Sequence, residues 1–322
     1  NGDKDPSLMK FVDFGIGDDF AEQVLIQPDG KIVVAGFADN ATLLVDPDRV
    51  GFALLRFNPD GKLDQGFGTQ GKVLTEVGDG SSARVRSAAL QPDGKIVLAG
   101  THKSTFVVAR YNTDGSLDDS FGTNGLVRVE DPVFEQFGIT GTEALDNSVV
   151  AAKAVGILSN GDIVVSGAVD GDFGLVFLGT NGGNCTSCPL MSPGTHYSLL
   201  VDFGVAEAAY GMTIQPDNKI LVVGNSTTDP DSFKIARIKA KGSVFFPGFE
   251  LDPAFGDGGQ VTVDVANLDF ARAVALAGDN IVVAGYSGNG HDRDFSVVQL
   301  ENDIDVSPDP PLPEPPDPDP PM

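Results

Sequence analysis

The sequence predicts an all-β fold, a five-bladed β-propeller of four-stranded blades, and three observations carry that expectation. One hairpin motif recurs five times at about 60-residue spacing, each full unit reads as four strands, and the last unit lacks a strand that the N-terminus can supply. The motif is QPDGKIVVAG, Gln27–Gly36. It returns as QPDGKIVLAG (Gln91–Gly100), LSNGDIVVSG (Leu158–Gly167), QPDNKILVVG (Gln215–Gly224) and AGDNIVVAG (Ala277–Gly285). Each copy joins an apolar run to a β-branched run through Pro, Asp, Asn and Gly, residues that set tight turns.

Taken in order, Lys10–Gly15 reads as a strand with no hairpin partner before it. Its Val-Asp-Phe-Gly recurs in Leu199–Gly204, just ahead of the fourth hairpin. Both segments therefore belong to the last strand of a unit, with Lys72–Val77, Leu126–Glu130 and Val261–Val265. The second unit shows the pattern most fully: Val85–Gln91, Lys95–Gly100, Phe106–Tyr111 and Leu126–Glu130. Its third and fourth strands are joined by Asn112-Thr-Asp-Gly-Ser-Leu-Asp118 and Phe121-Gly122. The first unit has Asn58–Asp64 and Phe67-Gly68 there, and the fourth keeps Leu251-Asp252 and Phe255-Gly256 after an insertion. The third unit replaces this formula with an insertion at Gly179–Gly194. The fifth supplies Ala273–Ala277, Ile281–Gly285 and Phe295–Leu300 and then stops. Lys10–Gly15 is expected to pair with Phe295–Leu300, closing the ring and removing an open sheet edge. The propeller is expected over residues 1–301. Residues 302–322, a run of Pro and acid, read as an extended stalk or linker.

Composition excludes several functions. Asp and Glu outnumber Lys and Arg 46 to 21, for a net charge of −25. Nucleic acid requires a basic footprint, so no nucleic-acid partner is expected. The balance suits a soluble, self-repelling extracellular protein, or one from a salty habitat. No run of 18 apolar residues is present, so no transmembrane helix is expected. The two cysteines, Cys185 and Cys188, offer too few ligands for a structural zinc site, and a local disulfide in an oxidising compartment is the expectation.

The hairpin motif, the run Phe106–Gly122 and Gly125-Leu-Val resemble the delta-60 repeat family of bacterial secreted proteins. The resemblance covers nearly all of Leu8–Glu301 and is most specific in the first two units. It implies a propeller-like extracellular or surface-attached protein, and it brings no single activity or catalytic residue set.

No nucleophile elbow, HExxH, Walker loop or dinucleotide fingerprint occurs, so no catalytic residue is assigned. His102, His196 and His291 share no register. Arg56, Arg110 and Arg237 share one, in units that also keep Asp64, Asp118 and Asp252. The units with Leu178 and Gln299 at that position lack the aspartate too. That joint loss predicts structural Arg–Asp pairs. The Asn-x-Asp-Gly turns have the oxygen spacing of a calcium loop but not its closing Glu, and read as Asx-turns.

Two registers are candidate sites. Asp46, Asp48, Asp170, Asp172, Asp229, Asp231, Asp292 and Asp294 recur between the second and third strands of four units. They are either solvated turn residues or ligands for Ca²⁺. Glu22, Arg86, Lys153, Tyr210 and Arg272 share a position on the innermost strand, and three of these five are cations in an acidic chain. They are expected to line the mouth of a central channel, unless they pair with acidic loops between blades. The leading functional expectation is a secreted or cell-surface binding or scaffold module for a protein, a glycan or an extracellular surface. A glycan-active hydrolase with acids in the funnel, or a structural component of an extracellular assembly, are the alternatives.

Overall fold

The computed structural model describes residues 12–15, 17–39, 50–77, 83–103, 105–129, 151–169, 171–186, 188, 196–226, 232–241, 248–266, 269–288 and 292–302. Among them there is no helix, only strands gathered into five antiparallel sheets. The first sheet is β1 (Asp19–Ile26), β2 (Ile32–Asp39), β3 (Val50–Phe57) and β4 (Lys72–Thr75). The second is β5 (Ala83–Leu90), β6 (Ile96–His102), β7 (Thr105–Tyr111) and β8 (Leu126–Val129). The third is β9 (Ala151–Ile157), β10 (Ile163–Val169), β11 (Asp172–Leu178) and β12 (Tyr197–Val201). The fourth comprises β13 (Glu207–Ile214), β14 (Ile220–Ser226), β15 (Phe233–Ala240), β16 (Phe249–Leu251) and β17 (Gln260–Val263), the last two sharing one edge of β15. The fifth has three strands, β18 (Asp269–Ala277), β19 (Asn280–Gly288) and β20 (Arg293–Glu301).

The motif makes the hairpin for identifiable reasons. Gly30 donates to the carbonyl of Gln27, and Gln27 to that of Lys31, closing a tight turn. The last turn residue takes a positive φ, 79° at Gly30 and 63° at Asn218, which is why Gly or Asn stands there. The Asp before it accepts the N–H two residues on, as Asp29 does from Lys31.

Sheets stack face to face through four apolar clusters. Val33, Ala35, Phe52, Leu54 and Phe67 of the first sheet meet Val85, Ala88, Leu98, Val107 and Ala109 of the second, and the pattern repeats at each junction up to the fifth sheet. The innermost strands follow one another, β1 on β5, β5 on β9, β9 on β13 and β13 on β18, and so define a common axis.

The arginine register forms a lock at the hairpin-turn end of three of the four junctions. The Arg56, Arg110 and Arg237 side chains are buried, and their Nε atoms donate to Asp64, Asp118 and Asp252 at 2.8, 2.7 and 2.8 Å. Each guanidinium lies over a ring of the following turn, Phe67, Phe121 or Phe255. Each also reaches the next sheet: Arg56 donates to the Thr113 carbonyl, Arg110 to the Thr180 carbonyl, and Arg237 to Asn302. Lys31 and Lys95 add ion pairs to Asp64 and Asp118. Burial alone would raise the Asp64 carboxyl, but the Gly66 N–H, Lys31 and Arg56 together hold it below its usual range. The register corrects one sequence assignment: Val33, Val97 and Leu221 face the three arginines, and Val164 faces Phe177, so Phe177 rather than Leu178 holds that place in the third unit.

The expected pairing of Lys10–Gly15 with Phe295–Leu300 is not found among the described residues. Residues 12–15 form no strand; residues 10 and 11 lie outside the described residues. The Lys72 ammonium donates to the Asp13 carbonyl, and Val12 and Phe14 line a cavity of about 370 Å³ with Ala21, Val34, Leu55 and Phe57, on the outer face of the first sheet. Arg110→Ala should lower unfolding free energy by about 1–3 kcal/mol, because Asp118 stays buried with one of its two cationic partners removed. Denaturant melts of the two proteins check this, and equal stability would refute the lock.

Candidate functional site

The five residues of the inner register are each the extra residue of a β-bulge. The pairing of the innermost strand with its neighbour skips one residue between Ala21 and Gln23, Val85 and Ser87, Ala152 and Ala154, Ala209 and Gly211, and Ala271 and Ala273. The skipped residues are Glu22, Arg86, Lys153, Tyr210 and Arg272. A bulged residue leaves the ladder and its side chain is re-aimed. Opposite each bulge is the glycine that ends the hairpin motif. A Cβ at Gly36, Gly100, Gly167, Gly224 or Gly285 would collide with the carbonyl oxygen of Phe20, Arg84, Ala151, Ala208 or Phe270. The motif's final glycine is therefore a requirement of the bulge.

These side chains fall into two contacting groups along the row of inner strands. Arg86 donates to Glu22 at 2.8 Å. The Lys153 ammonium lies 5.7 Å from the centre of the Tyr210 ring, and the Arg272 guanidinium covers that ring at 4.1 Å. Arg272 also donates to the Tyr286 hydroxyl at 3.0 Å. Burial pushes the Lys153 ammonium below its ordinary range, the charges of Arg86 and Arg272 push the same way, and Glu22 partly opposes them.

Several neighbours of these residues escaped the sequence reading. Arg84 and Arg86 face Phe37, which stacks on Phe20 at 4.9 Å. Arg293 faces Phe270 and Tyr286, which stack at 4.8 Å. Alternating aromatic and basic residues near the bulges were the available signal. The result is a band of cations on aromatic faces, with Glu22 the single carboxylate among the five bulge residues.

The acidic register is distributed differently. Asp46, Asp48, Asp170, Asp229 and Asp231 lie outside the described residues. Asp292, just before β20, and Asp294, within it, are exposed. Asp172 is joined by two acids that the register did not include, Asp202 and Glu207. Val205 donates to Glu207 Oε1 at 3.3 Å; burial, with smaller pushes from the charges of Asp172 and Asp202, raises this carboxyl to about 7 against the opposing pull of the Val205 and Phe203 backbone N–H groups. The signal for both acids was the Val-Asp-Phe-Gly segment followed by an acid at the start of the next unit. His102 and His196 are buried and separate, and His291 lies outside the described residues. A disulfide joins Cys185 to Cys188, and Thr186 between them donates to buried Asp162.

Comparison with known proteins now bears on the fold. The family model described as domain of unknown function (DUF5122) beta-propeller matches residues 27–67, 91–121 and 215–244. Each matched segment opens on Gln27, Gln91 or Gln215, in the three units that carry the arginine lock. The match supports a β-propeller family. No curated protein matches the chain. Among solved structures, a protein of unknown function from Dyadobacter fermentans is similar at 13% identity and a TM-score of 0.48, over 89% of this chain and 80% of that one. A Lactobacillus plantarum protein is similar at 13% identity and a TM-score of 0.47, over 87% and 71% of the two chains. A virginiamycin B lyase from Staphylococcus aureus follows at 11% identity and a TM-score of 0.39, over 91% and 88%.

Lys153 is held charged at a cost, and the sign of its pH dependence follows. Below its lowered folded-state pKa the penalty is complete; it shrinks as pH rises towards the ordinary lysine value of 10.5 and is gone above it. Lys153→Met should therefore melt higher than the parent at pH 7, with the difference closing as pH approaches 10.5. Thermal melts across that range check this, and a constant difference would show that the gain is packing alone.

Proposed function

We propose that the chain is a non-enzymatic β-propeller binding module of the delta-60 type, extracellular or on a bacterial surface, and that its ligand is anionic and sits on the ring of bulge residues. One observation carries this reading. A chain of net charge −25 places Arg86, Lys153 and Arg272 at equivalent bulges, where two of them contact the same Tyr210 ring. Like charges gathered without a ligand repel one another, and an anion relieves that repulsion. The charge is what the ring recognises, on a glycan or on a protein. A glycan-active hydrolase would need two carboxyl groups flanking the sugar. The ring offers Glu22, already paired with Arg86.

The same reading takes the five sheets as five blades closed between the fifth and the first. Phe52, Phe106, Phe173 and Phe233 occupy equivalent places and are 0% exposed, whereas their counterpart in β20, Phe295, is 100% exposed. Val297 beside it is also exposed, as are Val24 and Ile26 on β1, whose counterparts in the second sheet, Ala88 and Leu90, face the first sheet. These two faces are the two halves of the junction already built four times in the chain. Burying one phenylalanine contributes about 1.5–3 kcal/mol, which favours closure.

Two experiments test these readings. Phe295→Ser should lower stability by about 2–4 kcal/mol if the face is buried by closure; a change within about 0.5 kcal/mol would mean that it stays in water. An array of acidic and neutral oligosaccharides, read beside acidic and neutral peptides, should return only acidic binders. Arg86→Ala or Arg272→Ala should weaken them about 10- to 100-fold, and rising salt should weaken them further. Retention by both variants would refute the site.

A further inference from the structure

The connection between the third and fourth sheets gathers three carboxylates. Asp172 opens β11, Asp202 follows β12, and Glu207 opens β13. One ligand atom from each lies within 4.8 Å of the others. Oxygens that share a calcium ion at 2.3–2.6 Å stand no more than about 5 Å apart, so the spacing fits one ion.

Acids gather in loops without any ion, and the discriminating observation is at Glu207. Its side chain belongs to a residue only 1% exposed, and its Oε2 is buried with no hydrogen-bond partner. The same register in other sheets provides an internal comparison. Asp269, at the equivalent place in β18, is also buried, and its two oxygens accept the N–H groups of Val265 and Ala266. Asp19, at the start of β1, accepts the N–H of Phe14. All three acids fasten the chain that leads into their sheet, and Glu207 does so through Oε1. The glutamate is one methylene longer and leaves an oxygen over, inside a cluster with two more carboxylates. A buried carboxylate oxygen without a partner is costly, and more so beside like charges. The upward push on its pKa has the same origin.

We propose that Asp172, Asp202 and Glu207 bind a calcium ion that fastens the third sheet to the fourth. Calcium accepts about six to eight oxygens in flexible geometry, which suits carboxylates from two separate loops, whereas magnesium demands a near-ideal octahedron. The site is independent of the ring of bulge residues and stands or falls apart from it.

The test uses the full chain stripped with a chelator. Calcium is titrated by calorimetry, and melting is followed in CaCl₂, MgCl₂ and NaCl at matched ionic strength. The parent should bind one tightest calcium ion with a dissociation constant on the order of 10⁻⁴–10⁻³ M, as loop-borne extracellular sites do, and should melt higher in CaCl₂ than in either other salt. Glu207→Gln keeps an acceptor for the Val205 N–H and removes the buried charge. It should fold, melt at or above the parent without calcium, and lose the calcium-specific rise. Asp202→Asn changes an exposed side chain, leaves folding intact, and should lose the same rise. A calcium rise retained in Asp202→Asn and Glu207→Gln would place the ion elsewhere and overturn the site. A rise equalled by MgCl₂ would overturn the choice of calcium, and one equalled by NaCl would overturn binding altogether.

Discussion

The fold depends on a close approach of backbone to backbone. In every unit the carbonyl oxygen two residues before the bulge presses against the glycine that ends the hairpin: Phe20 on Gly36, Arg84 on Gly100, Ala151 on Gly167, Ala208 on Gly224 and Phe270 on Gly285. Glycine in a strand carries an entropic cost of about 0.5–1 kcal/mol relative to alanine. Its recurrence at this one place in all five units shows how tightly the geometry is required. The approach bends the innermost strand, turns one side chain out of the ladder, and does so at the same height on the common axis. Packing of neighbouring sheets and the ring of bulge residues both start from that bend.

The arginine lock is the second constraint, and its loss in the third unit shows what it does. Where the first two units have Lys31 and Lys95 after the turn, the third has Asp162, and where they have arginine it has Phe177. The lysine's charge is reversed, the arginine's is lost, and the junction is rebuilt around the change. Asp162 accepts from Thr186 in the disulfide loop, and Phe177 stacks on Phe249 of the fourth sheet at 3.9 Å. A buried ion pair has been exchanged for an aromatic contact and a short-range cross-link. Such an exchange costs little when both charged partners leave together. Removing one alone strands the other, which explains why arginine and aspartate are kept or lost as a pair.

Much of this was legible in the residues. The five-fold hairpin, its turn chemistry and the Arg–Asp pairing follow from local spacing, and the inner register was found because five dissimilar polar residues fall at one distance from the turn. Other features were not, for physical reasons. Leu178 and Phe177 are adjacent apolar residues, and only the cross-strand partner Val164 decides which holds the arginine's place. Asp202 and Glu207 are separated from Asp172 by the whole of β11 and β12 and an insertion, so their meeting is set by tertiary folding. The bulge cannot be read from an alternating pattern, because skipping one residue looks like a lapse in amphipathicity until the facing strand is known.

The two constraints act at different heights along the strands. The lock binds the hairpin turns, where Val33 faces Arg56, while the bulge lies further along, opposite Gly36, towards the connections that carry Asp172, Asp202 and Glu207. Residues just before the bulge are small, Ala21, Val85, Ala152, Ala209 and Ala271, and four of the five are buried between sheets. The bulged residue escapes that packing and varies from Glu to Arg, Lys and Tyr. A position whose backbone is strictly fixed, and whose side chain is released from the ladder, is one where residues as different as Glu, Arg, Lys and Tyr stand on the same backbone. The repeat thus dictates where the five bulged side chains stand and leaves open what they are, so the cations that this chain places there are not a demand of the architecture.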